Sequence, residues 1–289
     1  MSNQRNEFCW CGSGKKYKKC HWEQDERLIE LGHKGIEIPA RRLIRTPEQI
    51  EGVRKASRLT AQILDMVQEK IHVGVTTEEI DRWVYDMTVA NGGYPADLGY
   101  EGFPKSCCTS INNVICHGIP DKTVLKEGDI VNVDITCELN GFYGDASRMF
   151  VMEGASEEAK QLVRVTKECM ELGIAEIKPF CRIGDIAYAV EQHAKQFGYS
   201  VVREYGGHGI CDRMHDDPFV HHYGPRDRGM VLVTGMIITV EPMINAGDFR
   251  LKLLKDGWTS VTRDGSLSAQ WEHTIVVTED GHEVLTVSE

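Results

Sequence analysis

The sequence predicts an α+β fold made of two similar halves, and two internal repeats support this prediction. Residues 125–134 and 232–241 match at their leucine, glycine, isoleucine and valine positions, lie 107 residues apart, and both end in a carboxylate. In each run a polar turn ending in glycine leads into alternating β-branched residues, which is the pattern of a strand. The segments before them also repeat, because residues 71–80 and 177–186 are offset by 106. Each half is therefore predicted to be two helices followed by an antiparallel sheet.

Length and composition favour one sizeable folded domain with a small appendage. The chain has 289 residues, 41% of them hydrophobic, and no run approaches the roughly 20 apolar residues of a membrane span. Its N-terminus is polar and charged, without the apolar core of a signal peptide, which predicts a cytoplasmic protein. Seven of the ten cysteines are scattered as ordinary buried thiols would be, so no disulfide framework is expected. We expect a monomer that does not bind membranes.

The other three cysteines cluster at the N-terminus with a histidine. Cys9, Cys11, Cys20 and His21 form a C-x-C…C-H set, which has the ligand number and type of a closed structural zinc site. Some twenty residues cannot build a hydrophobic core, so a bound metal would be needed to hold them in one fold. A chance grouping of these side chains is the alternative. We predict a zinc knuckle over residues 1–22.

Charge distinguishes this N-terminal segment from the rest of the chain. Residues 1–22 carry five lysines and arginines against Glu7, a net charge of +4, so the other residues carry −15 of the total of −11. A basic finger on an acidic protein indicates docking to an anionic partner, such as ribosomal RNA on the ribosome or an acidic protein. A solubilising lysine face explains the same charges equally well, and the sequence leaves both interpretations open.

Helical patterns follow the knuckle. Residues 23–45 form a charged linker, predicted to be helical from about Trp22 to Pro39. Thr46-Pro-Glu-Gln49 is a capping box with proline at the first helical position, and it opens a long helix and the main domain, residues 46–289. Further helices are predicted from Thr76 to about Asn91, from Ser156, and from about Asp185 to Phe197.

The carboxylates that end the repeated runs are candidates for a metal site. Asp134 and Glu241 hold equivalent positions, and a carboxylate buried in a strand is costly unless something pairs it. The Asn-Gly pair at 140–141 predicts a two-residue hairpin loop. The resulting register sets Asp145 opposite Thr136 and diagonal to Asp134, roughly 5–7 Å away. Like charges this close repel one another unless cations lie between them.

The second half adds two candidates to this set. Glu272 lies in another alternating run, and His208 is flanked by glycines that let backbone and ligand approach closely. Four carboxylates and one imidazole favour Mn, Fe(II), Co or Zn over a thiolate-bound metal, and bridging carboxylates would allow a metal pair. Taken singly, Asp145 is explained as a turn residue, His208 as a buried histidine and Glu272 as a solvated strand position. Only their combination favours a metal site.

Six short motifs, in the usual order and at ordinary spacing, resemble those of the type I methionine aminopeptidases. They are Cys116-His117-Gly-Ile-Pro-Asp, Asn132-Val-Asp134, Gly144-Asp145, Gly207-His208-Gly209, Thr239-Val-Glu241-Pro-Met and Trp271-Glu272-His-Thr. The resemblance runs from about residue 40 to the C-terminus. It implies the pseudo-twofold pita-bread fold, with metals between the halves, and the removal of initiator methionine from nascent polypeptide N-termini with a small second residue. The N-terminal segment resembles the SEC-C zinc knuckle.

The resemblance implies a metal role for each of the five candidates. Asp145 and Glu272 would bridge two divalent ions, His208 and Glu241 would complete one of them, and Asp134 would bind the other. These metals would activate a water for attack on the carbonyl of the first peptide bond.

Further residues gain a role from the resemblance alone. Glu241 would shuttle the proton of the water, while His117 and His215 would lie near the peptide nitrogen and the developing oxyanion. Asp97 stands where some relatives have a small or thiol residue, which bears on the specificity of the pocket. The methionine pocket would be soft and aromatic, lined by Tyr100, Phe103, Cys108, Met214 and Trp258. Three other histidines are interpreted as structural or surface residues: His221, His222 and His273.

Two rival interpretations are disfavoured by the sequence. A prolidase or aminopeptidase P would carry a large additional N-terminal domain, for which the 45 residues ahead of the main domain leave no room. A member of the fold that only binds its target would have lost metal ligands, yet all five candidates are present.

Overall fold

A small knuckle precedes two successive helix-then-strand halves in the computed structural model, which describes residues 4–288. The five helices are α1 (Trp22–His33), α2 (Pro47–Lys70), α3 (Thr77–Ala90), α4 (Glu157–Ala175) and α5 (Ile183–Gln196). The strands are β1 (Tyr94–Pro95), β2 (Cys108–Ile111), β3 (Val114–Cys116), β4 (Ile130–Leu139), β5 (Phe142–Val151), β6 (Ser200–Val201), β7 (Gly207–Gly209), β8 (Asp216–Val220), β9 (Ile237–Val240), β10 (Met243–Asn245), β11 (Leu251–Leu253), β12 (Ser260–Thr262), β13 (Ser268–Gln270), β14 (His273–Val277) and β15 (His282–Val284). The predicted order of two helices and then strands is confirmed in both halves.

The helix starts follow the capping signals in the sequence. Thr46 accepts a hydrogen bond from the backbone N–H of Gln49, whose side chain accepts one from Thr46, and Thr76 and Glu79 repeat this arrangement at α3. The predicted extent of the linker helix to Pro39 is wrong. Helix α1 ends at His33 because Gly35 adopts a left-handed φ of 74°, which no helix can continue.

The β4–β5 hairpin has the register that its Asn-Gly loop predicts. Leu139 pairs with Phe142 and Thr136 with Asp145, which sets Ser147 opposite Asp134. Along its other edge β4 pairs with β1 and β2, and every pairing in this sheet is antiparallel. The hairpin packs against α2 so closely that a Cβ on Gly144 would lie 2.3 Å from the backbone nitrogen of Ser57.

Most strands of the second half divide between two sheets where the sequence predicted continuous runs. A five-stranded sheet has the order β15-β14-β9-β7-β8, and a three-stranded sheet has the order β13-β10-β6. Val240 pairs with His273, and Met243 pairs with Gln270. The segments β9–β10 and β13–β14 therefore pass between the two sheets at the same level. The prediction that Glu241 and Glu272 lie inside strands is therefore wrong, since each falls in this two-residue break. Pro242 has no N–H with which to continue the ladder.

Two main hydrophobic clusters stabilise the halves. One surrounds α2, α3, β4 and β5, and the other surrounds α4, α5 and the strands of the second half. A fourth sheet, of order β11-β12-β3, joins strands from both halves. Among residues 4–288, no helix combines the length and the hydrophobicity that crossing a bilayer would require.

Candidate metal centre

All five candidate ligands line one cavity of about 750 Å³, to which both halves contribute. Asp134 and Asp145 come from the β4–β5 hairpin, His208 from β7, and Glu241 and Glu272 from the two opposed strand breaks. The breaks explain the position of the two glutamates, because a side chain that leaves a ladder at its end can turn towards a point between the sheets. The remaining predicted site residues line the same cavity: Tyr100, Phe103, Cys108, His117, Met214, His215 and Trp258.

The ligand atoms of three candidates converge. One atom each from Asp145, His208 and Glu272 lies within 4.8 Å of the other two. His208 Nε2 is 3.6 Å from Asp145 Oδ2 and 3.6 Å from Glu241 Oε1. The carboxyl of Asp134 interacts directly with that of Glu272. Such distances suit cations held between the side chains, since coordination needs ligand atoms about 2 Å from a shared centre.

The unpaired atoms and charges of the cavity fit a divalent cation. Asp145 Oδ1 and Glu272 Oε1 are buried and have no hydrogen-bond partner among the described residues. Burial, followed by repulsion from neighbouring carboxylates, raises the pKa of Asp134 and of Glu272 well above its ordinary value. Burial likewise raises the pKa of Glu241 to about 7. Cations among these groups would reverse the shifts and pair the buried oxygens.

Two threonines, to which the sequence assigned no role, support the candidate ligands. Thr239 donates a 2.7 Å hydrogen bond to Glu241 Oε1 and accepts one of 2.9 Å from the backbone N–H of His208. Thr274 donates to the backbone oxygen of Asp145 at 2.7 Å and accepts from its N–H at 3.2 Å. A signal was available, because each threonine lies two residues from a candidate glutamate and so on the same side of an extended chain.

His222 also supports a ligand, as a buried acceptor. Its Nε2 accepts a hydrogen bond of 3.1 Å from the backbone N–H of Glu241, and the residue is 2% exposed. This agrees with the structural role expected for His222. Burial lowers its pKa to about 3, which keeps the ring neutral and able to accept.

The two non-ligand histidines face the cavity as neutral rings. His215 Nδ1 lies 2.8 Å from the hydroxyl of Tyr100, and its ring centroid lies 4.3 Å from that of His208. His215 is exposed towards solvent, and partial desolvation by the cavity, followed by the charge of His208, lowers its pKa. Burial also lowers the pKa of His117, whose ring packs edge-on against Tyr205 at 5.1 Å.

The predicted pocket residues surround an apolar part of the cavity. Phe103 and Trp258 pack edge to face with ring centroids 5.1 Å apart. Asp97 lies beside them in the cavity wall, where its Oδ2 accepts a hydrogen bond of 3.2 Å from the backbone N–H of Thr136. Burial raises the pKa of Asp97 well above its usual value.

The four candidate zinc ligands of the knuckle also converge. Cys9 Sγ and His21 Nδ1 are 3.2 Å apart, Cys11 Sγ and Cys20 Sγ 3.6 Å, and Cys20 Sγ and His21 Nδ1 3.3 Å. All four ligand atoms lie within 4.8 Å of one another. Tetrahedral zinc with S and N ligands would set these atoms about 3.5–3.8 Å apart, a few tenths of an ångström beyond the two shorter distances, so the ligand set suits such a site with a small expansion.

Asp25 ties the knuckle to the rest of the chain. Its Oδ2 accepts hydrogen bonds from the Trp10 ring nitrogen at 3.4 Å, the Tyr17 hydroxyl at 2.5 Å and the Arg41 guanidinium at 3.4 Å. The knuckle is therefore fastened to α1 and to the end of the linker by one carboxylate.

Comparison with known proteins agrees with this geometry. Residues 51–279 match Metallopeptidase family M24, and residues 5–23 match the SEC-C motif. The chain is 51% identical over 242 residues to methionine aminopeptidase A of Synechocystis sp., an alignment that covers 83% of this chain and 96% of that protein. It is also 51% identical over 246 residues to the methionine aminopeptidase of Salmonella typhimurium, covering 84% and 93%.

Solved structures show the same likeness. The methionine aminopeptidase of Rickettsia prowazekii superposes with a TM-score of 0.83 at 46% identity, covering 84% of this chain and 99% of that one. The enzyme of Thermotoga maritima gives a TM-score of 0.83 at 40% identity, covering 85% and 99%. The prolidase of Pyrococcus furiosus, at 20% identity and a TM-score of 0.69 over 96% of this chain and 75% of that one, shares the fold alone.

Fold and cavity together define a metal-dependent peptidase, for which divalent metal ions are required. The chain belongs to metallopeptidase family M24 and, within it, to the methionine aminopeptidases. The pita-bread fold, the family resemblance and the aminopeptidase class predicted from the motifs are confirmed, and so is the SEC-C motif.

Proposed function

We propose that this cavity removes the N-terminal methionine from nascent polypeptides and peptides with a small second residue. The single observation that carries the proposal is the convergence of Asp145, His208 and Glu272 within 4.8 Å, in one cavity with the apolar pocket. Membership in the methionine aminopeptidases supplies the reaction. The protein works as a monomer in the cytoplasm, where its substrates are made.

The five candidate ligands would hold two divalent ions, chosen from Fe, Mn, Co and Zn. Asp145 and Glu272 would be shared by the two ions, His208 and Glu241 would complete one, and Asp134 would bind the other. When bound, the ions would supply Lewis-acid chemistry, which lowers the pKa of water and polarises a carbonyl. The buried, unpaired oxygens of Asp145 and Glu272 support this assignment, because a cation would give them partners.

The side chains of the cavity handle protons and orient the substrate. Glu241, with Thr239 fixing one oxygen, accepts a proton and delivers it to the amine that leaves. Nδ1 of His215 is hydrogen-bonded to the hydroxyl of Tyr100, so its Nε2 can donate a hydrogen bond to the oxyanion. His117 interacts with the peptide nitrogen. Neutral imidazoles suit this work, because they keep a donor without adding charge beside the metals.

The methionine side chain occupies the apolar part of the cavity. Tyr100, Phe103, Cys108, Met214 and Trp258 surround it with polarizable and aromatic atoms, which a thioether prefers. The residue after methionine lies close to the metals and His117, so only a small side chain fits there.

The chain divides into three parts with separate work. Residues 1–22 are a knuckle that holds one structural zinc through Cys9, Cys11, Cys20 and His21, residues 23–45 are a linker, and residues 46–289 are the catalytic domain. The net charge of +4 on the knuckle supports docking to ribosomal RNA or to an acidic protein.

Hydrolysis of matched peptides tests the proposal against the proline-specific relatives. Met-Ala-Ser should be cut only when metal is present, and an Xaa-Pro dipeptide should not be cut with or without it. The reverse preference would identify a prolidase, and no turnover of either peptide at saturating metal would indicate a binding protein.

A further inference from the structure

Two arginines that precede the matched family region reach the wall of the catalytic cavity. Arg42 and Arg45 lie ahead of residue 51, where the M24 match begins, and both bind the carboxylate of Asp216. Arg42 Nη1 is 2.5 Å from Asp216 Oδ1, and Arg45 Nη2 is 2.9 Å from Asp216 Oδ2. A second branch of Arg42 is 2.7 Å from Asp217. One carboxylate thus receives both guanidinium groups.

The arginine–carboxylate cluster is mostly withdrawn from water. The side chain of Arg45 is 4% exposed and that of Asp216 is 7% exposed, although Arg42 is 54% exposed. Arg45 also donates to the backbone oxygen of Arg42 at 2.9 Å, which joins the two arginines. Burial alone would raise the pKa of Asp216, but the hydrogen bonds from Arg42 and Arg45 lower it below its usual value. Removing either partner of such a buried pair leaves an uncompensated charge.

Asp216 has a special place because it follows His215 directly and begins β8. It pairs with Gly209, the neighbour of His208, so the two ends of the loop 210–215 meet at this level of the sheet. The two segments pack too closely at Gly209 for any side chain, since a Cβ would lie 1.9 Å from the backbone oxygen of Asp217. Holding the carboxylate of Asp216 therefore holds the end of the loop that carries His215.

We propose that Arg42 and Arg45 are positioning residues, which set His215 against the substrate through the carboxylate of Asp216. The inference rests on the catalytic role proposed for His215. It matters because misplacing a catalytic group by about 1 Å can cost up to about 100-fold in rate. The linker thus contributes to catalysis through the carboxylate of Asp216, and the catalytic unit extends back to Arg42.

Arg45→Met tests the proposal, because it removes the charge and the hydrogen bonds but keeps the length of the side chain. The kcat for Met-Ala-Ser at saturating metal should fall by at least about tenfold, while KM stays within about twofold. Arg45→Lys should recover part of the loss, since it retains one charged donor for Asp216. The double variant with Asp216→Asn should lose little more than the worse single variant, because all three side chains act through one contact.

Arg54→Met is the matched control. Arg54 ties α2 to Glu283 of β15 by another arginine–carboxylate pair, and that pair includes no residue of the loop 210–215. This variant should lower the thermal midpoint as Arg45→Met does, yet leave kcat unchanged. If the two variants reduce kcat equally, or if Arg45→Met changes KM alone, the positioning role is wrong.

Two further variants keep the outcome decisive. If Arg45→Met does not fold, Arg42→Met removes the exposed half of the cluster and should still lower kcat with KM unchanged. His215→Ala is measured beside them. Normal turnover of His215→Ala would overturn the role of that histidine and the inference with it. Slow turnover of His215→Ala together with normal turnover of Arg42→Met and Arg45→Met would overturn the inference alone.

Discussion

At the scale of single residues, the carboxylates of the cavity affect one another's pKa. Glu241 and Glu272 are buried and Asp134 is half-buried, and their pKa values rise because desolvation and neighbouring charges oppose ionisation. Such a group destabilises the fold on its own and favours metal binding, since a cation would remove the repulsion. Thr239 donates a hydrogen bond to the carboxylate of Glu241, and Thr274 donates one to the backbone of Asp145, so both restrain candidate ligands.

Asp145→Asn or Glu272→Gln should abolish most activity while leaving the fold intact. Each substitution keeps the shape of the side chain and removes one bridging charge, so the cations are under-neutralised and turnover of Met-Ala-Ser should fall by orders of magnitude. Asp86→Asn, at an exposed position of α3, is the control and should be fully active. Near-normal turnover of either cavity variant at saturating metal would contradict the assigned site.

His222→Gln should flatten the acid dependence of stability. The folded protein keeps His222 neutral down to a pKa of about 3, whereas the unfolded chain binds that proton near 6.5. The stability contributed by this group is therefore full above pH 6.5 and is lost as pH falls, by up to about 1.4 kcal/mol per pH unit. The free energy of unfolding, measured with urea between pH 4.5 and pH 6.5, should change less steeply with pH in the variant. Equal slopes for the two proteins would contradict the buried, neutral state.

At the scale of secondary structure elements, the sequence was informative where contacts are local. The register of the β4–β5 hairpin follows from its Asn-Gly loop, because one loop of fixed length sets every cross-strand pair. The strand breaks at Glu241 and Glu272 were not predicted, because apolar alternation continues past them and does not record a change of partner strand. Sequence patterns likewise do not predict the ion pair between Arg45 and Asp216, since it joins residues far apart in the chain.

Deleting residues 1–22 should leave peptide turnover intact. The deletion removes the four candidate zinc ligands and the contacts of Trp10 and Tyr17 with Asp25, but none of the five cavity ligands. The truncated protein should hydrolyse Met-Ala-Ser at the rate of the full chain and bind one zinc ion fewer, measured by metal analysis. A truncated protein that cannot hydrolyse the tripeptide would show that the knuckle is part of the catalytic fold.

The whole molecule combines an acidic body with a basic finger. The net charge is +4 on residues 1–22 and −15 on the rest, so an anionic partner is attracted to one end and repelled by the other. Asp25 fixes this arrangement by fastening the knuckle to α1 and Arg41. A docked molecule would thus hold its catalytic cavity in a defined orientation.

Salt dependence tests the docking at this scale. Cosedimentation of the full chain with ribosomes should decrease as salt rises, because binding releases counterions from phosphate groups. The protein lacking residues 1–22 should sediment weakly at every salt concentration. Identical sedimentation of the two proteins would mean that the lysines only solvate the surface.

Substrate choice is expected to depend on the complete cavity, because the residues proposed for the pocket and for metal binding come from both halves. Peptides that begin Met-Gly, Met-Ala or Met-Ser should be hydrolysed far faster than those that begin Met-Leu or Met-Lys, measured as kcat/KM at fixed metal. The reason is that the proposed metal ions and His117 would leave little space for the second side chain. Comparable rates across the series would contradict the proposed pocket.

The division of the site between the halves has a consequence for the order of events during synthesis. Asp134 and Asp145 are translated early and lie diagonal to each other in one hairpin, whereas Glu272 follows much later in the sequence. A ribosome-bound fragment that stops before β13 therefore holds both acids without the glutamate that completes the proposed site. On the proposed assignment, the metal site is complete only after β13 has paired with β10 and β14 with β9, so activity depends on the folding of these late strands.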